Sequence, residues 1–431
     1  MKYYSFNERD VDRMSIGYAC LTIGVLNTNL KSCNAKNVCD EKLLDIIEHN
    51  LKSLENMIAY NIKNSIHLFR ISSDLISFGS SPLNKLHWWD IFSNEFSKIG
   101  RKIRENNIRV SMHPGQYTVL NSPNKDVANR AVEDLNYHSK VLDSLGVNVE
   151  NKIVLHIGGV YNDKKQAINR FISNYGNLDD RVKRRLVIEN DDKSYNINDV
   201  IEIGTKLGIP VIFDNLHNEI NPCNEDKSEL YWINESKNTW KDKDGYQKIH
   251  YSQQDISKKP GSHSNTIAVD RFVNFYGSLE REDIDIMLEV KDKNLSAVKC
   301  INSITKDKRI SKLENEWSKY KYTVLESSPK VYLEIRNLLK DKKSYPVVQF
   351  YNYIDEAVKE EVIPGNSINA ALHVWGYFKN IVDSREKEGF LRSIDKYKKG
   401  EVSINVVKNK LWKMAVKYDE RYLKDSYYFI F

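Results

Sequence analysis

The chain has 431 residues, of which 41% are hydrophobic, so it can bury a large core and exceeds one ordinary domain. Its formal net charge of +6 is unevenly distributed, because 26 Lys and Arg stand against 18 Asp and Glu from residue 295 onward and 39 against 41 before it. The five cysteines include no C-x-x-C pair, and no stretch of about 18 apolar residues is present, which argues against a disulfide framework, a zinc knuckle and a membrane span.

Residues 1–13 are polar and are predicted to form an N-terminal tail. They lack the apolar run of a signal peptide. We therefore expect a cytoplasmic protein with no membrane association.

From residue 14 onward, short apolar segments alternate with segments of helical periodicity. The helical segments lie at 40–64, 88–106, 129–145, 163–175 and 197–207. The predicted strands are 14–20, 66–73, 108–113, 152–156, 185–190, 209–214, 246–251 and 284–289.

Eight strands separated by helices within about 290 residues are typical of a closed (β/α)8 TIM barrel. The competing architecture is an open, doubly wound sheet. The glycine fingerprint of dinucleotide-binding sheets is absent after the first strand, which weakens that alternative. We predict an α/β fold with a TIM barrel over 14–294 and a mainly helical C-terminal extension over 295–431.

Residues that can bind metal ions stand at the ends of the predicted strands or just beyond them. In a barrel, all carboxyl ends of the strands point to one rim, where active sites are built. Imidazole and carboxylate groups together suit divalent Zn or Mn, and eight such groups exceed what one ion needs. The predicted ligands are His113, His156, Glu189, Asp214, His217, His250, His263 and Glu289.

Each of these residues has an ordinary alternative role when considered alone. Glu189 and Asp214 could cap the helices that follow them, and Glu289 could be a salt-bridge partner at the rim. Unrelated causes would not place a ligand at six consecutive strand ends, so we favour a metal site. The remaining histidines are interpreted as structural: His49, His67, His87, His138 and His373.

Two or three divalent ions a few ångströms apart can bind a phosphate, activate water and stabilise a departing oxygen, so phosphodiester hydrolysis is the natural chemistry. A sugar isomerase would use a similar barrel with more carboxylates and fewer histidines. Tyr18, Gln116 and Tyr117 lie on predicted rim loops, where aromatic and amide side chains suit contact with an extruded nucleotide. Ordinary loop packing is the alternative for both tyrosines.

Seven short motifs together resemble the UV damage endonuclease family over residues 14–290. The motifs are Gly17-Tyr18, Phe69-Arg70-Ile71-Ser72-Ser73, His113-Pro114-Gly115-Gln116-Tyr117, Leu155-His156-Ile157-Gly158-Gly159, Ile188-Glu189-Asn190-Asp191, Phe213-Asp214-Asn215-Leu216-His217 and Lys248-Ile249-His250-Tyr251-Ser252.

The resemblance implies a TIM barrel that nicks double-stranded DNA immediately 5′ of cyclobutane dimers, 6-4 photoproducts and some abasic sites. It implies two or three divalent ions per monomer, usually manganese, with zinc or magnesium as alternatives, held by the eight predicted ligands. Gln116 and Tyr117 match the family's lesion-probing loop, and Tyr18 matches a second probing residue.

The resemblance also implies catalytic roles for Glu189, His250 and Lys248. Lys248 matches a family lysine that can be carboxylated, because an ammonium group beside several cations is repelled whereas a carbamate is not. Without the resemblance, Lys248 is interpreted as a rim lysine that points at phosphate, with Gln247 and Ile249 on the opposite face.

One position departs from the family pattern. Ser81 stands in the loop after the second strand where the family generally has a ligating histidine. Because a hydroxyl is a poor ligand, we expect one ion to be bound weakly or to be served by His87, and we expect fewer than three tightly bound ions.

The basic, aromatic-rich extension over 295–431 lies outside the part of the chain that carries the resemblance. Helices are predicted near 333–339 and 402–422. The extension is interpreted either as a helical domain with aromatic residues in its core, which we favour, or as a DNA-contacting segment.

For the whole chain we predict a metal-dependent DNA repair endonuclease with no required protein partner. The alternatives are an abasic-site endonuclease of the endonuclease IV type and a metal-dependent sugar isomerase.

Overall fold

The computed structural model describes residues 14–224 and 226–431, so the predicted tail over 1–13 lies outside the described residues. Eight short parallel strands form one closed sheet in sequence order. The strands are β1 Ile16–Ala19, β2 Leu68–Ile71, β3 Arg109–Met112, β4 Ile153–His156, β5 Leu186–Glu189, β6 Val211–Asp214, β7 Gln247–Tyr251 and β8 Ile284–Leu288.

Pairing of the first strand with the last closes the barrel. Tyr18 of β1 lies opposite Phe69 of β2 on one side and opposite Leu288 of β8 on the other. Every strand is parallel to both of its neighbours, so all eight carboxyl ends reach one rim. The predicted (β/α)8 barrel is confirmed.

The register of the sheet sets the polar strand ends level with one another. His156 pairs with Glu189 across β4 and β5, and Asp214 pairs with His250 across β6 and β7. Residues that are 33 to 36 positions apart in the sequence therefore become neighbours across the sheet.

Helices connect the strands, and each predicted helix of the barrel is present. The helix over 197–207 has the predicted bounds, and the ends of the others are shifted. The predicted helix over 88–106 is divided at Phe92 into two helices, and the predicted helix at 129–145 begins earlier because the Asn124 side chain accepts hydrogen bonds from the first turn. The barrel helices are α1 Asp40–Lys63, α2 Trp88–Ile91, α3 Ser93–Glu105, α4 Lys125–Ser144, α5 Lys164–Gly176, α6 Asp180–Lys183, α7 Ile197–Leu207, α8 Asn215–Ile220, α9 Glu229–Lys237, α10 Val269–Ser278 and α11 Asn294–Ile304.

Ion pairs fill the amino-terminal end of the barrel, away from the rim. Arg109 donates to Asp285 over 2.8 Å, and Lys152 donates to Asp244 over 2.6 Å. These four side chains are nearly buried, and each charge has an opposite partner, which is what makes burial of the charges tolerable. The polar groups at this end are therefore structural.

The chain divides into two compact units, of which the first contains the barrel strands and the second comprises Ile23–Val25, Ala268–Val273 and Lys299–Phe431. The second unit is mainly helical, as predicted. The predicted boundary at 294/295 stays a prediction. The helices of the second unit are α12 Ile310–Ser327, α13 Pro329–Leu338, α14 Val347–Lys359, α15 Pro364–Trp375, α16 Ser384–Lys398, α17 Ile404–Lys417 and α18 Arg421–Lys424.

Aromatic side chains form much of the core of the second unit. The rings of Trp375 and Phe390 stack with centroids 4.4 Å apart, and Phe378 and Tyr428 are fully buried beside them.

None of the helices in the described part of the chain combines the length and the apolarity needed to cross a membrane. All five cysteines are free thiols.

Gly17 allows β1 and β2 to approach each other closely. A Cβ atom at this position would lie 1.9 Å from the main-chain oxygen of Leu68, which cannot move without breaking the sheet. We expect Gly17→Ala to lower the free energy of unfolding by about 3 kcal/mol, at the upper end of overpacking costs. Urea denaturation followed by circular dichroism measures the change.

Gly277→Ala is the matched control, because nothing lies within 4 Å of a Cβ atom there and the residue is helical. It should leave stability unchanged or raise it slightly. Equal stability of Gly17→Ala and the wild type would contradict the close approach.

Candidate active site

The carboxylate of Glu189 stands at the centre of the rim cluster. Its Oε2 atom lies 3.2 Å from Nε2 of His113 and 3.7 Å from Nε2 of His156. Its Oε1 atom lies 2.6 Å from Nδ1 of His250 and 3.8 Å from Nδ1 of His217. One fully buried carboxylate thus contacts or approaches four of the predicted ligands, which come from four different strand ends.

Two sets of side chains can each hold a metal ion, because their ligand atoms lie within 4.8 Å of one another. Glu189 belongs to both sets and could bridge two ions. His263 lies at the edge, with Nδ1 3.9 Å from Oε2 of Glu289. The first set is His113, His156 and Glu189, and the second set is Glu189, Asp214, His250 and Glu289.

Main-chain carbonyls fix which nitrogen of two histidines is available. Nδ1 of His113 donates to the carbonyl of Pro114 over 3.0 Å, and Nδ1 of His217 donates to the carbonyl of Asn190 over 2.9 Å. Because a carbonyl only accepts, Nδ1 carries a proton in both rings, so Nε2 is the nitrogen that would bind a cation once any proton on it has been displaced. Such partners are typical of metal-binding histidines.

Asp214 performs both roles that the sequence left open. Its Oδ1 atom accepts a hydrogen bond of 2.7 Å from the main-chain N–H of His217 and so caps α8. Its Oδ2 atom is buried without a hydrogen-bond partner among the described residues, as is Nδ1 of His156. Buried polar atoms without partners are rare, so both atoms are suited to a ligand from outside the chain.

Burial and the neighbouring charges shift the pKa values within the cluster in opposite directions. Burial would raise the pKa of Glu189, but His250, His156 and His113 hold it well below its ordinary value. Burial lowers the pKa of His250 to about 4 and raises that of Asp214 to about 7. For His217, burial acts downward, but Asp214 and the two glutamates raise the pKa to about 9.

Arg70 belongs to the cluster and was not predicted as a site residue. Its Nη2 atom donates to Oε1 of Glu289 over 2.6 Å and to Nε2 of His250 over 2.9 Å. Asn190 was also missed, although it positions Asp214 through a hydrogen bond of 2.9 Å to its main-chain N–H. The sequence did contain a signal for Arg70 and Asn190, because both lie at or near the end of a predicted strand, as the predicted ligands do.

Lys248 does not lie on the rim, so its interpretation as a rim lysine pointing at phosphate is wrong. The side chain is fully buried, and alternation along β7 puts it on the same face as His250, one layer deeper in the barrel. Nζ has no hydrogen-bond partner among the described residues. Burial lowers the pKa of the amine well below its ordinary value, and Arg109 lowers it further. As predicted, Gln247 faces the other way, toward α9.

The three predicted DNA-contacting residues differ in exposure. Tyr117 is 84% exposed and Gln116 is exposed beside it. Tyr18 is fully buried and donates to Oδ1 of Asn61 in α1 over 2.8 Å. The side chain of Tyr18 therefore packs between the sheet and α1, so we no longer assign it a role in contacting DNA.

The other histidines and Ser81 lie outside both sets of ligands. His138 is buried and is hydrogen-bonded to the carbonyl of Asp134 and the hydroxyl of Ser73. His87 is exposed and stacks on Trp89. Ser81 Oγ accepts from the main-chain N–H of Leu83 over 3.3 Å. His87 is not brought into the cluster that the structure defines among its described residues.

A sequence profile of the family UV-endonuclease UvdE matches residues 14–321, which is most of the chain. The chain belongs to the UvdE family. A second profile, described as a protein of unknown function (DUF1722), matches residues 321–431. The UvdE match covers the barrel with all eight predicted ligands.

Relatives within the UvdE family support the assignment. A UV DNA damage endonuclease of Clostridium perfringens (strain 13 / Type A) is 41% identical over 398 residues, which are 87% of this chain and 93% of the relative. A UV DNA damage endonuclease of Bacillus cereus (strain Q1) is 33% identical over 66% of this chain and 90% of its own. A crystal structure of SacUVDE superposes with a TM-score of 0.64 and 40% identity, and covers 67% of this chain and 97% of that one.

The pKa values of Asp214 and His217 predict that metal binding in this UvdE family member depends on pH. Below pH 7 both groups carry a proton, and between pH 7 and 9 His217 still does, so an ion must displace protons to bind. We expect Mn²⁺ affinity to rise from pH 6 to pH 9, by up to about tenfold per pH unit for each proton displaced.

Isothermal titration calorimetry in buffers of different ionisation enthalpy measures the affinity and the protons released. The His217→Gln variant, which keeps a polar side chain without this titration, is the control and should show a shallower pH dependence above pH 7. Affinity that is constant from pH 6 to pH 9 in the wild type would contradict the proposed protonation states.

Proposed function

We propose that this protein is a metal-dependent UV damage endonuclease that hydrolyses the phosphodiester bond immediately 5′ of photoproducts in double-stranded DNA. The observation that carries the proposal is the convergence of histidines and carboxylates from consecutive strand ends around the buried Glu189. Membership of the UvdE family and relatives named UV DNA damage endonucleases support the choice of substrate. An isomerase acting on free sugars has no support of this kind.

The residues of the cluster fit divalent cations. Two buried carboxylates, Glu189 and Asp214, and the partly buried Glu289 lie around one permanent cation, Arg70. Oδ2 of Asp214 and Nδ1 of His156 have no hydrogen-bond partner among the described residues. Mixed nitrogen and oxygen donors suit manganese and zinc, and carboxylate oxygens also suit magnesium. We propose two or three ions per monomer, with Mn²⁺ the first choice.

When bound, such ions supply Lewis acidity toward the phosphate and lower the pKa of a water molecule. The chain supplies the geometry. Glu189 would bridge the two sets of ligands, and the carbonyls of Pro114 and Asn190 would keep the rings of His113 and His217 oriented with Nε2 toward the ions. Arg70 would hold the carboxylate of Glu289 in place through its hydrogen bond to Oε1.

Lys248 would act from below the cluster. Burial favours the neutral amine of Lys248, which could react with carbon dioxide to give a carbamate and a released proton. The carbamate would add a fourth negatively charged group to the three carboxylates of the cluster, on the face of β7 that carries His250. We propose this modification as the reason for a fully buried lysine whose Nζ has no hydrogen-bond partner among the described residues. Electron density at Nζ in a crystal structure tests it.

The exposed loop after β3 would contact the damaged DNA. Tyr117 and Gln116 project from the rim that carries the ligands, where an aromatic ring and an amide could fill the space left by a displaced base pair. Glu189 at the centre of the cluster is buried, whereas Gln116 and Tyr117 are exposed, so chemistry and lesion recognition would reside in different parts of the rim.

Incision of a labelled duplex that carries one cyclobutane dimer tests the proposal. We expect a nick immediately 5′ of the dimer with Mn²⁺, none with EDTA, and a loss of at least about 100-fold for His156→Ala because a ligand is removed. His373→Ala, which alters an exposed histidine of α15, is the matched control and should cut normally.

Three other outcomes have separate meanings. Cutting at an abasic site but not at the dimer would move the assignment to an endonuclease IV-type enzyme. No cutting of either duplex, despite bound metal, would refute the proposed function. Three tightly bound ions in the accompanying metal titration would contradict the expected effect of Ser81.

Removal of the exposed aromatic ring tests the role of the loop after β3. We expect Tyr117→Ala to lower kcat/KM for the dimer-containing duplex by about 10-fold or more, because stacking on a base is worth about 1–3 kcal/mol. Mn²⁺ affinity should not change, since Tyr117 is not a ligand. Tyr246→Ala, at another exposed tyrosine just before β7, should cut like the wild type. Equal activity of the two variants would remove Tyr117 from lesion recognition.

A further inference from the structure

The second unit contains a cleft with an unusual lining between α12 and α13. The cleft has a volume of about 320 Å³, near the lower end of the range for ligand pockets, and suits one small aromatic ligand rather than a duplex. An indole ring and a leucine provide its apolar wall, and three of the four charged residues that line it are basic. The lining residues of this Trp317 cleft are Glu314, Trp317, Arg336, Leu339, Lys340 and Lys342.

The positive charges at the cleft are only partly neutralised. Lys342 forms an ion pair with Glu314. Arg336 and Lys340 form no ion pair with the residues that the structure describes, and both are exposed. Two cations beside an aromatic wall are therefore available to an anionic ligand.

Aromatic rings continue from the cleft over the surface of the same unit. The centroid of Tyr332 lies 5.4 Å from that of Trp317, and Arg336 lies over the ring of Tyr332. The rings of Tyr377 and Tyr422 stack with their centroids 5.8 Å apart and their planes inclined by 11°. Nζ of Lys321 lies 4.6 Å from the ring of Tyr422, and among the described residues it has no carboxylate partner.

The rings of this surface are chemically suited to stacking beside phosphate. A tyrosine phenol is neutral at pH 7 and does not repel an anion. For the partly buried Tyr422, burial and the neighbouring Tyr377 raise the pKa further, to about 12. Tyr377 is 36% exposed. Aromatic faces interleaved with unpaired cations are how proteins bind a single strand of nucleic acid, with bases stacked on rings and phosphates held by Lys and Arg.

We propose that the Trp317 cleft and the adjoining tyrosines form a binding site for a single strand of DNA, with one base in the cleft against Trp317 and the flanking phosphates on Arg336 and Lys340. The charge of residues 295–431, with 26 basic against 18 acidic side chains, is complementary to this ligand. The site is separate from the rim cluster and does not require that the barrel cut DNA.

Binding of a short, undamaged, fluorescently labelled oligonucleotide to the full-length protein tests the site. EDTA is present, so no metal-dependent reaction contributes. We expect Trp317→Ala to weaken binding by at least about fivefold and Trp317→Phe, which keeps an aromatic ring, to weaken it less. Fluorescence anisotropy gives the affinities.

The cations are tested by a second variant that does not disturb the core. Binding weakens as salt rises, and each phosphate contact on a single strand contributes about −0.7 to the slope of log K against log salt. The double variant Arg336→Ala with Lys340→Ala loses two such contacts, so its slope should be less steep by about 1.4. The matched control is Lys387→Ala with Lys413→Ala, two exposed lysines on α16 and α17. An equal loss for both double variants would overturn the proposal, because it would show a diffuse charge effect.

Photocrosslinking gives a direct readout of the contact. An oligonucleotide with 5-bromodeoxyuridine should crosslink to a peptide of α12 or α13 that mass spectrometry identifies. Crosslinks confined to the barrel would overturn the proposal. RNA of the same sequence that binds at least tenfold more tightly than DNA, with the same dependence on Trp317, would overturn the choice of DNA.

Discussion

The carboxylate of Glu189 is the group around which the rim is arranged. It is fully buried, yet it remains ionised because three histidines lie close enough to hold its pKa far below the ordinary value. A buried carboxylate of this kind is strongly destabilising unless it is paired, so the strand ends that carry its partners must keep their register. The pairings of His156 with Glu189 and of Asp214 with His250 across the sheet provide that register.

The balance of charge within the cluster explains why cations are its natural ligands. Glu189 and Asp214 are buried beside the partly buried Glu289, and Arg70 is the permanent cation among the residues that contact them. Burial keeps a proton on Asp214 near neutral pH, whereas His217 retains its proton because Asp214 and the two glutamates raise its pKa to about 9 against the effect of burial. Divalent cations would replace those protons, so metal affinity and protonation are coupled in one site.

The two units differ in the kind of side chain that they concentrate: polar groups in the barrel and aromatic rings in the second unit. The barrel concentrates its polar groups in buried contacts of 2.6 to 3.9 Å around one carboxylate pair, as an active site for phosphodiester chemistry requires. The second unit buries part of its aromatic content in a core around Trp375. It leaves Tyr377 at the surface, stacked on Tyr422, whose ring lies near Lys321. Both interpretations of the extension, a helical domain and a nucleic-acid surface, are therefore compatible with its composition.

The sequence by itself determined the barrel and predicted most of the side chains that meet in the rim cluster. Eight short apolar runs separated by helical periodicity leave few architectures, and parallel strands bring their carboxyl ends to one rim, so a polar residue at each end was sufficient to predict convergence. Helix ends were less predictable, because the side chain of Asn124 extends α4 and Phe92 divides a continuous periodic pattern.

Only the tertiary structure decided which way certain side chains point. Strand alternation with a period of two assigns residues to opposite faces but does not identify which face is the barrel interior. Tyr18 therefore matched a family motif and yet packs against α1, and Lys248 was read as a rim residue although it is buried beneath His250. Arg70 became recognisable as a partner of Glu289 only when closure of the barrel brought β2 and β8 close together, across 219 positions of sequence.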